Sequence, residues 1–122
     1  MTTHLIIAGI LLAASLGFGK WLTKAGLPYS TGVLAIHKLT AAASVVFMVL
    51  ALIAFIKESG NITIVIYLLM GIGGLSALGA LGTGGLLSHK KEAAKTQVNM
   101  HRITSILLIL SILAFFVLIF IK

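Results

Sequence analysis

Four stretches of this chain are each long and apolar enough to cross a bilayer: about Thr3–Trp21, Thr31–Ile56, Ile62–Leu87 and Val98–Ile121. A hydrocarbon core requires about 20 consecutive apolar residues in a helix. Neither of the two acidic residues, Glu58 and Glu92, falls within a stretch. Lipid cannot hydrogen-bond an open backbone, so a segment at that depth must be a helix or part of a closed barrel. The polar/apolar alternation of a strand is missing, which leaves helices. Composition agrees. Soluble domains are about 45–50% apolar and about 25% charged, whereas here 60% of residues are hydrophobic and 9% charged, with a mean hydropathy of +1.21. The sequence therefore predicts an all-α integral membrane protein, residues 1–122 forming a single up-down four-helix bundle with short connections.

The formal charge of +7 is not a nucleic-acid footprint, because the cations lie at the ends of apolar runs, as membrane-flanking residues do. Lys20, Lys24, Lys38, Lys90, Lys91, Lys95 and Arg102 cluster around the first and third connections, against Lys57 and Lys122 on the other side. The positive-inside rule then places those connections in the cytoplasm and both termini outside it, in a multi-pass protein of the cell membrane. The first twenty residues lack a basic start and read as a first span rather than a secretory leader. Gly26-Leu27-Pro28 stops the first helix, Ser30 or Thr31 caps the second, and Glu58-Ser59-Gly60-Asn61 forms the next turn. Glu92-Ala93-Ala94-Lys95 is good helix former, so the fourth helix can begin before Val98.

A short repeat links the halves. Ile36-His37-Lys38-Leu39-Thr40 matches Met100-His101-Arg102-Ile103-Thr104, and Leu16-Gly17-Phe18-Gly19 matches Leu81-Gly82-Thr83-Gly84. The last glycine precedes its histidine by 18 residues in one half and 17 in the other. An even number of spans per copy gives both copies the same topology, related by an axis along the membrane normal. An ionisable residue at membrane depth is by default a functional-site candidate. His37 and His101 should lie level, in the cytoplasmic half. Two nitrogen ligands are too few for a closed zinc site but fill the two axial positions of a haem iron. Ala41 and Ser44 beside His37, and Ser105 beside His101, leave room for a flat ring, as do Gly17 and Gly82. Lys38 and Arg102 are placed to pair with propionates or to snorkel to headgroups. Each ligand also needs a partner for its second ring nitrogen; the candidates are the carbonyls of Val33 and Gln97, helped by Thr40 and Thr104. His4 reads as an interfacial residue and His89 as a loop residue. The absence of cysteine excludes covalent haem attachment.

Four spans, histidines on the second and fourth, glycine-rich partners and basic flanks resemble the small membrane b-type cytochromes, both the cytochrome b five-six-one kind and the membrane anchors of succinate and formate dehydrogenases. The resemblance implies one non-covalent haem b and electron transfer between a quinol or membrane pool and a redox partner protein, rather than a stand-alone enzyme. The family's two-haem branch carries histidine pairs on both sides of the membrane, and this chain has only one pair. Two other readings stay open: a cofactor-free accessory subunit of a larger complex, or a subunit holding a chlorophyll-type pigment. Homo-oligomerisation is also open. A proton-coupled exporter would need an intramembrane carboxylate, and a retinal protein a mid-membrane lysine. Neither is present, and no phosphate loop or nucleophile–base pair appears.

Overall fold

In the computed structural model, which describes residues 1–60, 63–88 and 95–121, the chain is all-α. Its helices are α1 (Thr2–Ala25), α2 (Thr31–Ser59), α3 (Ile64–Ser88) and α4 (Lys95–Phe120). All four are long and apolar enough to cross a membrane, as a multi-pass protein requires. The expected order of elements holds. α1 runs four residues past Trp21, ending only where Gly26 takes φ 73° and sends its N–H to the Leu22 carbonyl at 3.0 Å. A positive φ costs glycine little, and Pro28 cannot extend the helix. α2 also ends at a glycine of positive φ, Gly60 at 62°. Ser30 does stand at the N-cap of α2, without a capping hydrogen bond from its side chain. The residues proposed to start the fourth helix early, Glu92–Ala94, lie outside the described residues.

The chain divides into two compact units, Met1–Gly60 and Asn61–Lys122. The division falls at the boundary of the sequence repeat. Each unit is an antiparallel helical hairpin, and each is described by itself.

In the first unit the seam follows a seven-residue interval. Leu5, Ala8, Ser15 and Leu22 are buried on α1, and Ser44, Met48, Ala51 and Phe55 on α2. Leu12 and Gly19 fill the gaps in the first series, and His37 and Ala41 extend the second, all half-buried. Alternating steps of three and four keep one narrow stripe of a helix against its neighbour, as in a coiled coil. Half of the stripe is small residues, Ala8, Ser15 and Gly19 on α1 and Ala41, Ser44 and Ala51 on α2. In lipid, burying apolar area gains little, so close backbone approach and van der Waals packing hold helices together. A polar fastener sits in the middle, where Ser44, 1% exposed, donates from Oγ to the Ala8 carbonyl at 2.9 Å. Ser44→Ala should cost about 0.6 kcal/mol, the usual size of an interhelical hydrogen bond in a membrane, measurable by reversible unfolding in mixed micelles.

The second unit repeats the plan. Ile66, Ser76 and Ala77 are buried on α3, and Ser111, Ile112 and Phe115 on α4, with Gly73, Gly79, Ala80 and Gly84 of α3 and His101, Thr104 and Leu108 of α4 half-buried. A methyl group added at Gly73 would lie 3.4 Å from the Ser111 Cβ. Away from the seams the helices present large aliphatic side chains outward, including Ile10, Leu75 and Leu78, each more than 60% exposed. That is the surface expected of a segment solvated by hydrocarbon.

Candidate functional site

Each histidine lies on its own hairpin seam, against the helix before it. His37 Nδ1 is 2.8 Å from the Ser15 carbonyl oxygen. His101 Nδ1 is 3.0 Å from the Ala80 carbonyl oxygen. A carbonyl can only accept, so each Nδ1 carries the proton and donates it. In the neutral ring that makes Nε2 the lone-pair nitrogen.

The acceptors correspond across the repeat. Ser15 precedes Gly19 by four residues, and Ala80 precedes Gly84 by four. In a helix the carbonyl of residue i accepts the N–H of residue i+4 and keeps a second lone pair. Normally the side chain at i+4 crowds that lone pair. Glycine removes the obstruction. His37 Cε1 sits 3.0 Å from where a Gly19 Cβ would be, and His101 Cε1 sits 3.1 Å from the same point on Gly84. The ring therefore lies on bare backbone and reaches a carbonyl one turn away. A small residue followed four later by glycine acts as both acceptor and clearance.

A hydroxyl accompanies each bond. Ser15 Oγ is 3.3 Å from His37 Nδ1 and donates to the His37 carbonyl at 3.4 Å. Thr83 Oγ1 is 3.1 Å from His101 Nδ1 and donates to the Gly79 carbonyl at 2.6 Å. The two hydroxyls come from different places in the repeat, because position 83 in the second half corresponds to Phe18 in the first.

These partners differ from the expected ones. The Val33 and Gln97 carbonyls are not the Nδ1 acceptors, since rings turned into the seam reach across to the neighbouring helix rather than back along their own. Thr40 and Thr104 do not assist. Their hydroxyls donate to carbonyls of their own helices, Ile36 at 2.8 Å and Met100 at 3.0 Å. Nor are Gly17 and Gly82 the glycines under the rings. Both are exposed, with nothing within 4 Å of an added Cβ, and they lie two residues from Gly19 and Gly84, around the side of the helix. Ser44 is committed to the Ala8 carbonyl, and Ser105 Oγ donates to the His101 carbonyl at 2.7 Å. Ala41 is half-buried on the seam, and Lys38 and Arg102 are exposed. His4 packs at 6.2 Å from the Phe47 ring, with its Nδ1 buried and lacking a hydrogen-bond partner. His89, Lys90 and Lys91 lie outside the described residues.

Sequence reasoning missed Ser15, Ala80 and Thr83, since a backbone acceptor leaves no side-chain signature. The signal that could have found them was the four-residue step onto Gly19 and Gly84.

A direct prediction follows. Gly19→Ala and Gly84→Ala should push the imidazoles off their carbonyls by a few tenths of an ångström, whereas Gly17→Ala and Gly82→Ala should not. Histidine 15N NMR would show weakened Nδ1 hydrogen bonds in the first pair only.

Among the described residues no group of three or more His, Cys, Asp or Glu comes together to hold a metal ion. An imidazole with its proton fixed on Nδ1 by a backbone carbonyl is nonetheless the form that ligates a metal through Nε2, so each ring by itself has the donor chemistry of an axial haem ligand. No protein-family model, curated protein or solved structure matches the chain.

Proposed function

We propose that the chain is a membrane-embedded b-type haem protein, with Nε2 of His37 and Nε2 of His101 as the axial ligands of one non-covalent haem b, and that it carries electrons rather than acting as a stand-alone enzyme. One observation carries the reading: two histidines in matching positions of a repeat both donate from Nδ1 to a carbonyl of the preceding helix, and both rest on a glycine. The haem would supply one-electron redox chemistry. The residues would hold the imidazoles in orientation and tautomer, and Lys38 and Arg102 would pair with the propionates. The basic ends would face the cytoplasm and both termini the other side. The electron partners would be a quinol or a redox protein.

A second reading has its own support. The Nδ1 bonds fasten α1 to α2 and α3 to α4, so the same contacts serve a cofactor-free subunit of a larger membrane complex, with the histidines as helix fasteners. Absorption spectra of the purified protein, oxidised and reduced, separate the two. A Soret band with sharp reduced bands supports haem, and a colourless protein supports the fastener reading. Extracted pigment of chlorophyll mass would replace both.

A further inference from the structure

We infer that the basic end of the first hairpin holds one anionic phospholipid on one of its two sides, with the headgroup phosphate at Lys20 and Lys24 and an acyl chain against Ala13 and Ala42. The inference goes beyond the haem reading and does not depend on it. His37 rests on Gly19, so these two residues mark the seam at that end. The Ser15–His37 and Ala8–Ser44 contacts show that the two helices run antiparallel. A helix turns about 100° per residue, so one step on from the seam carries Lys20 and Lys38 to the same side of the hairpin. Lys24, one turn beyond Lys20, joins them. One step back carries Phe18 and Ile36 to the opposite side. The contact of the His4 and Phe47 rings at 6.2 Å fits this division. His4 lies four turns from Phe18 on α1, and Phe47 three turns from Ile36 on α2, both on the apolar side.

The two sides differ in charge and in relief. All three lysines are exposed, and the only acid of residues 1–60, Glu58, is at the far end beside Lys57. The basic side therefore carries an excess of positive charge that a phosphate complements. Inward of the lysines the same side is low. Ala13 stands two turns from Lys20, and Ala42 one turn from Lys38. Both alanines are exposed, and both fall between the Ser15–His37 and Ala8–Ser44 contacts, so they stand level. The other side carries the Phe18 and Phe47 rings instead. Small residues let a neighbouring chain lie close to the backbone, so an acyl chain fits below the lysines and not below the rings. Trp21, 59% exposed and stacked on Phe18, sets this end at headgroup depth. The positive-inside rule assigns the end to the cytoplasmic leaflet, where anionic lipids collect. Lys38, which the haem reading gives to a propionate, is the one residue both ligands would use, so the test rests on Lys20 and Lys24.

The test extracts the full chain, without haem, from mixed vesicles of phosphatidylcholine and a minority of phosphatidylglycerol, and counts the lipids it retains by native mass spectrometry. One phosphatidylglycerol should stay bound per chain. A lysine near an anionic headgroup is worth roughly fivefold in affinity. Lys20→Gln combined with Lys24→Gln should therefore lower the preference for phosphatidylglycerol over phosphatidylcholine roughly 25-fold. Lys57→Gln, at the other end, should leave it unchanged. Ala13→Leu combined with Ala42→Leu keeps every charge but fills the low strip, and should also lose the lipid. All these positions are exposed, so helix content by circular dichroism should stay the same in each variant. Equal retention of the two lipids by the parent, or an unchanged preference without Lys20 and Lys24, overturns the inference. So does full retention when both alanines are leucine, which would reduce the lysines to a diffuse field. Displacement of the lipid by inorganic phosphate would show a site for the anion alone and overturn it too.

Discussion

His37→Ala and His101→Ala should each abolish the low-spin haem spectrum, with affinity falling more than about 100-fold, since loss of even an outer-shell partner costs roughly 10–100-fold. His4→Ala and His89→Ala should leave the spectrum unchanged. The measurement is haem titration of each purified variant, followed by absorbance and by low-temperature paramagnetic resonance of the ferric form. Each single change leaves the iron with one of its two proposed ligands, so the low-spin signature should go even where some haem is retained. A wild-type spectrum from either variant would mean that the iron is held elsewhere. Because both imidazoles also fasten their hairpins, stability must be followed in parallel. The fastener reading predicts lost stability with no cofactor to lose. The haem reading predicts that the spectrum is lost from protein that still folds.

The second large effect should come from Gly79→Ala. An added methyl there would stand 2.8 Å from Thr104 Cγ2 and 3.4 Å from its Cβ, too close without movement. Thr104 has little room to move, because a β-branched side chain has few rotamers and its hydroxyl is already bonded to the Met100 and His101 carbonyls at 3.0 and 3.1 Å. Alanine in a helix interior gains roughly 0.5–1 kcal/mol over glycine, while overpacking a seam costs typically about 1–3 kcal/mol. The steric term should win, leaving a net loss of about 1–2 kcal/mol. Thr104→Ser removes the clashing methyl and keeps the hydroxyl, so it should rescue most of the loss in a double-mutant cycle read by unfolding in mixed micelles. Gly74→Ala, which meets open space, should be neutral or stabilising. A Gly79→Ala variant as stable as the parent would show that the α3–α4 seam is looser than these distances.

Length, apolarity and the placement of charges dictated much of the architecture. Four spans and their order follow from the scarcity of acids and the length of the apolar runs, and the stops after α1 and α2 from Gly26 and Gly60, although Glu58 and Ser59, expected in the turn, belong to α2. Lipid leaves a single such segment no other regular choice. The matched histidine motifs, and the halving of the chain between Gly60 and Asn61, were likewise legible. What the sequence could not give was which atoms the histidines touch. Gly17 and Gly19 look interchangeable in a string of letters, yet a helix turns about 100° per residue and sends them to different faces. Only the packed hairpin decides that Gly19 and Gly84 lie under the rings, and that Ser15 and Ala80 lend their carbonyls. A backbone oxygen exists at every position, so nothing in a residue's identity marks the one that will be used. The choice comes from the register of one helix against the next, which the small-residue seams fix.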